Sequence, residues 1–128
     1  MKILAFRYTD DIPQMQAFLT ALGLRGDLAS AAGSYVQLDA DAGAAALHTA
    51  AGADGPRRTG DTDISFESDE LLEDVRDRLV AAGFGDAVVL DESFGRSLRV
   101  TDPDGVPVQV NASMTDLHGY TRAGAATA

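Results

Sequence analysis

Ser97 to Asn111, with the sequence SLRVTDPDGVPVQVN, decides the fold because it contains two strands joined by a tight turn. The turn is Asp102–Gly105, in which the proline suits the first central position and the glycine accepts a positive φ angle. After the turn, three valines alternate with other residues up to the end of the stretch. Alternation places the valines on one face of a strand, and Gln109 and Asn111 on the other. The stretch therefore predicts a β-hairpin with one apolar face.

Composition limits the class of protein. The chain has 128 residues, 45% of them hydrophobic, and no apolar run of membrane-spanning length, so we expect one domain that is large enough to bury a core. It has no cysteine, which excludes disulfides and Cys-ligated metal centres. Arg7 and Asp10 interrupt the apolar start of the chain, so we find no signal-peptide core and expect a cytoplasmic protein.

The charge of the chain limits its partners. Twenty acidic and 10 basic residues give a net charge of -10, which repels nucleic acid and anionic membranes. We expect neither as a partner, whereas a cationic small molecule would be attracted. Acidic residues spread over a surface are also typical of solubility alone.

Two segments have the spacing of amphipathic helices. The first begins after Asp11 as N-cap and ends at Gly23; the second opens at Ser68–Glu70 and ends at Gly83. Strand patterns surround them at residues 3–8, 35–39, 44–48, 64–67, 88–90, 98–100 and 106–110. The first helix is followed by two of these patterns and the second by three; we interpret both halves as β-α-β-β-β, which predicts an internal duplication.

The duplication defines the domain organisation. We assign residues 1–50 to a first module, 51–62 to a Gly- and Ala-rich linker, 63–112 to a second module and 113–128 to a flexible tail. All of them belong to one domain.

Three motifs in this order resemble the vicinal oxygen chelate superfamily, which includes glyoxalases, extradiol dioxygenases, fosfomycin-modifying enzymes and bleomycin-binding proteins. They are DIPQMQAFLTALGL at Asp11–Leu24, AAALH at Ala44–His48 and TDPDGVPVQV at Thr101–Val110. The resemblance covers residues 2–112 and is nearest to the metal-free bleomycin-resistance type. It implies an α+β fold of two tandem βαβββ modules, whose curled mixed sheets enclose a cavity with the helices outside. It also implies a homodimer.

The strands themselves support a binding face. Alternation puts on the helix side Ile3, Ala5, Ile64, Phe66, Val106, Val108 and Val110, and on the opposite side Leu4, Phe6, Tyr8, Asp63, Ser65, Glu67, Gln109 and Asn111. A packed core would not hold so many polar groups unpaired, since each costs about 1–3 kcal/mol. A face exposed only to solvent is not expected to carry three large, mainly apolar side chains, Leu4, Phe6 and Tyr8. A ligand-binding groove satisfies both observations; the alternative is a sheet face covered by a dimer partner.

Metal-using relatives hold their ion with four inward side chains. The resemblance places these positions at Leu4, Ala46, Asp63 and Gln109, with Leu47 replacing Ala46 if the register shifts by one. Asp63 alone among them is anionic, and hard divalent cations need several carboxylate or imidazole ligands. We therefore expect no bound metal and no cofactor.

A displaced metal site is the alternative. It would join His48 to Asp63, Glu67 and Gln109, because His48 lies on the same predicted face as Ala46. His118, in the tail, is a weaker candidate ligand.

The sequence and the resemblance together predict a metal-independent small-molecule binding protein, acting by drug sequestration or in self-resistance. The predicted ligand-binding residues are Phe6, Tyr8, His48, Asp63, Ser65, Glu67, Arg99, Gln109 and Asn111. A planar or cationic ligand would stack on the two aromatic rings of the first strand, and the polar residues would orient it. Arg57 and Arg58 could clamp an anion or lie in a solvated loop.

An enzyme is the alternative function. It would be a lyase, isomerase or dioxygenase that uses either the displaced metal or acid–base catalysis by His48, Glu67 and Tyr8. The chain contains no Gly-x-Ser-x-Gly elbow, no Walker-type phosphate loop and no dinucleotide fingerprint at the start of either helix.

Overall fold

A computed structural model describes residues 1–51, 56–92, 95–113 and 120–122. The elements in this part of the chain are β1 (Lys2–Tyr8), α1 (Ile12–Leu22), β2 (Arg25–Ser30), β3 (Tyr35–Asp39), β4 (Ala44–His48), β5 (Thr62–Ser68), α2 (Leu72–Ala81), β6 (Val88–Glu92), β7 (Gly95–Thr101), β8 (Pro107–Ala112) and β9 (Tyr120–Arg122). Helices and strands are mixed, which confirms the α+β class.

The described residues form two compact units. The N-terminal module comprises residues 4–63 with residues 120–122, and the C-terminal module comprises residues 64–113 with residues 1–3. In the first, β1 pairs parallel with β4, and β4, β3, β2 and β9 follow one another antiparallel. In the second, β5 pairs parallel with β8, and β8, β7 and β6 follow antiparallel. The same strand order in both modules confirms the predicted duplication.

Helix α1 begins and ends as predicted. The Asp11 side chain accepts a hydrogen bond from the Gln14 N–H at 3.1 Å, and Gly23 takes a left-handed φ of 110° after the last turn. The buried face of the helix packs on the N-terminal core. This core consists of Ile12, Val36, Leu38 and Leu47, with Met15, Leu19, Leu24 and Ala29 at its edge.

Helix α2 begins later than predicted. Ser68 is the last residue of β5 rather than part of the helix start, and its hydroxyl accepts a hydrogen bond from the Glu70 N–H at 3.0 Å. This local bond forms a turn before the helix, so the first helical residue is Leu72 and Leu71 is an exposed N-cap. The C-terminal core consists of Leu72, Val75, Leu98 and Val110, with Phe66, Leu79, Val89, Val100 and Ala112 around it.

The hairpin turn has the predicted geometry. Gly105 has a φ of 83°, and its N–H donates to the Asp102 carbonyl at 3.0 Å. The Asp102 carboxylate also accepts from the N–H groups of Asp104 and Val106, each at 2.9 Å. Strand β8 starts one residue later than expected, so Val106 lies in the turn and is exposed.

The predicted helix-facing residues divide into two groups. Phe66 and Val110 pack in the C-terminal core as expected. Ile3 and Ile64 are 58% and 66% exposed, so they are not core residues. The helices pack elsewhere, α1 mainly on β3 and β4 and α2 on β6 and β7, and Ile3 and Ile64 lie near the starts of β1 and β5, where they stay exposed.

The predicted flexible tail contains a strand. Residues Tyr120–Arg122 form β9, which pairs with β2 from Leu28 to Ser30. Strand β2 would otherwise present an unpaired backbone edge, and β9 supplies its hydrogen-bonding partners. The remainder of the tail from 114 onward, including His118, lies outside the described residues.

Neither α1 nor α2, the two helices in the described part of the chain, has the length and apolar character needed to cross a bilayer.

Candidate functional site

Four aromatic side chains meet on one face of the N-terminal module. Phe6 and Tyr8 project from β1, and the parallel register places Tyr8 opposite His48 of β4. The antiparallel register then places His48 opposite Tyr35 of β3. Alternation puts this face opposite the core residues Val36, Leu38 and Leu47. We call these four residues the aromatic cluster.

The rings of the aromatic cluster form a closed circuit of contacts. Ring centroids are 6.3 Å apart for Phe6 and Tyr8, 5.9 Å for Tyr8 and His48, 6.3 Å for His48 and Tyr35, and 5.9 Å for Tyr35 and Phe6. These are the separations at which aromatic pairs attract. All four side chains are partly exposed, so the cluster offers a π-surface to a ligand.

Ala46 lies within this circuit and settles the register of β4. It pairs with Phe6 on one side and Gln37 on the other, and it is fully buried. Leu47, the alternative inward residue, instead packs in the core under α1. The inward position is therefore Ala46, as the unshifted register predicts.

Hydrogen bonds orient two of the rings. The Tyr35 hydroxyl donates to the Gln37 side-chain oxygen at 2.8 Å. His48 Nδ1 lies 2.7 Å from the Thr49 carbonyl oxygen. Because a carbonyl can only accept, Nδ1 is the donor, and in the neutral form of the ring Nε2 is then the acceptor.

An ion pair lies beside the aromatic cluster. The Arg57 guanidinium carbon is 5.2 Å from the centre of the Tyr8 ring, which is within cation–π range. Its Nε and Nη2 donate to Asp63 Oδ2 at 3.1 and 2.8 Å. Both side chains are partly exposed, at 33% and 41%. The cluster thus already has a planar cation against one of its rings.

Tyr8 titrates differently from a free phenol. Burial raises the pKa of its hydroxyl above the ordinary value of 10.0; Arg57 lowers it, and Asp63 raises it. Contact with Tyr8 is in turn the largest cause of a raised pKa at Arg57, to which Asp63 adds. Tyr8 is consequently neutral at physiological pH and able to donate a hydrogen bond.

The predicted linker ends against β1 in a way that positions Arg57. The N–H of Tyr8 donates to the Asp61 carbonyl at 2.9 Å, and the N–H of Gly60 donates to the Tyr8 carbonyl at 2.8 Å. The Arg58 N–H donates to the Asp61 carboxylate at 2.9 Å, which closes the turn. The backbone next to Arg57 is therefore fixed to the strand that carries Tyr8.

The C-terminal module carries a polar face of its own. Ser65 Oγ donates to the Gln109 carbonyl at 2.9 Å, and the Gln109 amide donates to Asn111 Oδ1 at 2.7 Å. Arg99 pairs in register with Gln109 and donates to Glu92 Oε1 at 3.3 Å. Four polar side chains of this face therefore bond in two pairs, Gln109 with Asn111 and Arg99 with Glu92, and Ser65 bonds to the backbone.

Ser97 belongs to the same polar face and was not predicted. It pairs in register with Asn111, on the side of β7 opposite the core residue Leu98. It is fully buried, and its hydroxyl has no hydrogen-bond partner among the described residues. Such a group costs free energy in the folded state.

The structure sorts the predicted site residues by module. Phe6, Tyr8, His48 and Asp63 come together in the N-terminal module, where Tyr35 and Arg57 join them. Ser65, Glu67, Arg99, Gln109 and Asn111 lie in the C-terminal module, with Glu67 paired in register with Asn111. Tyr35 was missed although a signal was present, because alternation in β3 puts it on the face opposite Val36.

The described residues contain no cluster of three or more His, Asp or Glu side chains able to hold a metal. Leu4 and Ala46, at two of the positions that metal-using relatives employ, have no donor atoms and are buried. Asp63, at a third, accepts hydrogen bonds from Arg57. Metal independence stays a prediction that elemental analysis can test.

Two open concavities lie away from the aromatic cluster. The larger, of about 560 Å³, is at the start of α2, and the other, of about 290 Å³, lies beside the start of α1. Polar residues that line the larger one already have hydrogen-bond partners: Arg96 donates to Glu73, and Ser113 donates to Asp69. The larger concavity has no aromatic side chain among its described lining residues, and the smaller has one, Phe18, whereas the cluster has four rings.

Comparison with solved structures supports the fold. The chain is similar to a glyoxalase/bleomycin resistance protein/dioxygenase superfamily member from Vibrio splendidus 12B01, with a TM-score of 0.57 and 16% identity over 88% of this chain and 98% of that one. The chain has the fold of that structure. It is also similar to a structure described as an NAD-dependent benzaldehyde dehydrogenase from Legionella pneumophila, with a TM-score of 0.63 and 14% identity over 88% and 99% of the two chains. Identities this low show the fold alone.

No protein-family model matches the sequence, and no curated protein matches it.

Proposed function

We propose that this protein binds a small planar organic molecule on the aromatic cluster, without a metal, and acts by holding the ligand rather than by transforming it. The observation that carries the proposal is the closed circuit of four partly exposed rings. Stacking on such a surface is favourable and needs no covalent chemistry. The resemblance to the bleomycin-resistance type supports sequestration or self-resistance as the biological role.

The polar residues of the C-terminal module complete the predicted ligand-binding set, and we propose that they bind polar groups of a ligand. Gln109 and Asn111 have amide groups, and Arg99 has a guanidinium that is part of an ion pair with Glu92. Side chains held by hydrogen bonds to one another recognise ligands with little loss of entropy. Ser65 and Glu67 complete the predicted set, and a homodimer remains our expectation for the assembly.

Isothermal titration calorimetry with a panel of planar antibiotics and dyes tests the proposal. Phe6→Ala removes one ring of the cluster, and we expect it to weaken binding about tenfold, since stacking contributes about 0.5–1.5 kcal/mol beyond the area buried. Phe18→Ala is the matched control, because Phe18 is an exposed phenylalanine on α1. A panel without a single binder, or equal affinities for the two variants, would contradict the proposal.

Metal independence needs its own measurement. Elemental analysis of protein purified without chelator should find less than stoichiometric iron, zinc, manganese and nickel. Adding these metal ions to the calorimetric titration should leave the affinity for the organic ligand unchanged, because Leu4 and Ala46 supply no metal-ligand atoms. One tightly held ion per chain would overturn this part of the proposal.

An acid–base enzyme is the second candidate, and the geometry of His48 favours it. The bond from Nδ1 to the Thr49 carbonyl leaves Nε2 as a proton acceptor, and the Tyr8 ring is 5.9 Å away. Turnover of any bound ligand that disappears in His48→Ala and persists in Phe18→Ala would establish catalysis and replace the sequestration proposal.

A further inference from the structure

The Arg57 guanidinium occupies the position that a ligand cation would take on the aromatic cluster. Its carbon lies 5.2 Å from the Tyr8 ring centre, which is the geometry in which a planar cation meets a phenol ring. The same guanidinium is neutralised by the Asp63 carboxylate. A ring face and a carboxylate are the two groups that bind a planar organic cation in water.

The ion pair is weak enough to exchange. Arg57 and Asp63 are 33% and 41% exposed, and pairs this accessible contribute about 0–1 kcal/mol. Both hydrogen bonds go to one carboxylate oxygen, Oδ2, so the pair lacks the two parallel bonds of a bidentate contact. A ligand does not have to overcome a strong internal contact.

Release of the guanidinium needs only side-chain rotation. The turn that follows Arg57 is held to β1 by the bonds between Tyr8, Gly60 and Asp61. The arginine side chain has several rotatable bonds and half-exposed surroundings, so it can leave the Tyr8 ring while this backbone stays in place.

Charge decides between a cationic and an anionic ligand. An anion on Arg57 would compete with Asp63 for the same donors, in a chain whose net charge is -10. A cation would instead take over Asp63 and meet an attractive field. The arrangement favours a cation.

We propose that Arg57 is an internal competitor: a planar organic cation binds the Tyr8 ring and Asp63 by displacing the Arg57 guanidinium. This inference rests on the proposed binding function and names the ligand class of the same cluster. Arg57 therefore weakens the binding of cations, in contrast to an anion clamp, where it would strengthen the binding of anions.

Fluorescence titration with ethidium, a planar cation, tests the sign of this effect. Arg57→Gln should raise the affinity at least about threefold relative to the wild type, because a cation–π contact at an exposed site contributes about 0.5–1 kcal/mol. Arg58→Gln is the matched control, since it removes the same charge from a neighbouring exposed residue. Asp63→Asn should lower the affinity for ethidium. Circular dichroism verifies that each variant is folded.

The outcomes separate this inference from the proposed function. Equal ethidium affinities in Arg57→Gln and Arg58→Gln, or no ethidium binding by Arg57→Gln, would overturn the exchange. A loss of anilinonaphthalene sulfonate binding confined to Arg57→Gln, with ethidium affinity unchanged, would identify an anion clamp instead and also overturn it. In either case Phe6→Ala still tests the proposed function: if it weakens the binding of another planar ligand and Phe18→Ala does not, the cluster is a binding site and only the role of Arg57 is wrong.

Discussion

The ring centroids of Phe6 and Tyr35 are 5.9 Å apart although their strands, β1 and β3, are separated by β4. The β4 residues on this face that pair with them are His48, which pairs with Tyr35, and Ala46, which pairs with Phe6 and is fully buried. A methyl group takes up less space beside the two rings than any larger side chain would. We therefore expect the aromatic cluster to depend on a small residue at position 46.

Ala46→Leu should open the cluster. A leucine side chain needs the volume in which the Phe6 and Tyr35 rings meet, and overpacking of this kind costs about 1–3 kcal/mol. We expect a lower urea midpoint with an unchanged m-value, together with loss of planar-ligand binding at temperatures where the variant is folded.

Ala17→Leu is the control for that experiment because Ala17 is exposed on α1. It adds the same atoms to the surface and should change the urea midpoint little. If Ala46→Leu keeps wild-type affinity and stability, the rings do not need the space above Ala46.

Gly105→Ala should destabilise the hairpin through the backbone alone. Gly105 has a φ of 83°, yet an added Cβ would meet no heavy atom within 4 Å. Left-handed conformation costs a non-glycine residue about 1–2 kcal/mol, so the free energy of unfolding should fall by that amount. Gly85 has equal space around a new Cβ and no positive φ. Gly85→Ala should therefore be neutral or slightly stabilising, and a similar loss in both variants would contradict a conformational cause.

The raised pKa of Tyr8 predicts a stability change at high pH. Burial is the main cause and favours the neutral phenol in the folded state. As pH rises above 10.0, the ordinary value, the unfolded chain loses this proton before the folded chain does. The stabilising contribution is complete below that pH and is lost as pH rises through the folded pKa. Tyr8→Phe should show a smaller decline in the free energy of unfolding above pH 10.0 than the wild type.

The pKa of Tyr8 can also be measured directly from tyrosinate absorbance. Subtracting the titration of Tyr8→Phe from that of the wild type leaves the contribution of Tyr8. Arg57 lowers the pKa of Tyr8, while Asp63 raises it. Arg57→Gln should therefore move the Tyr8 titration to still higher pH. An unchanged titration would mean that Arg57 does not contact the phenol in solution.

Segments with strong alternation were predictable from the sequence. The bounds of β3 and β4 match the predicted residues 35–39 and 44–48, and α1 lies between the Asp11 cap and Gly23. In each case apolar periodicity and a capping or turn residue indicate the same boundary, so local and tertiary preferences agree.

Segments whose structure depends on a partner were not predictable. Strand β2 has the sequence RGDLAS, with no apolar alternation, and its register shifts between Gly26 and Leu28. It exists because β3 and β9 pair with it on either side. Strand β9 depends on β2 in the same way, and its sequence gave no signal of its own.

The candidate site shows the same division. Phe6, Tyr8 and His48 followed from alternation along β1 and β4, whereas Arg57 lies in a loop whose path no periodicity determines. Its place over Tyr8 comes from long-range backbone bonds between β1 and residues 60 and 61. Alternation in the sequence assigns a strand side chain to one face of the sheet. The position of a loop side chain can be determined only from the structure.

Two buried serines on the polar face of the C-terminal module make opposite predictions. Ser65 Oγ donates to the Gln109 carbonyl at 2.9 Å, so Ser65→Ala should lower the free energy of unfolding by about 1 kcal/mol. Ser97 Oγ has no partner among the described residues and is fully buried. Ser97→Ala removes a desolvated hydroxyl, so the variant should be at least as stable as the wild type. The urea midpoints of the two variants and the wild type measure these changes in stability, and m-values equal to that of the wild type indicate that unfolding remains two-state. An equal loss in both would show that the Ser97 hydroxyl is hydrogen-bonded in solution.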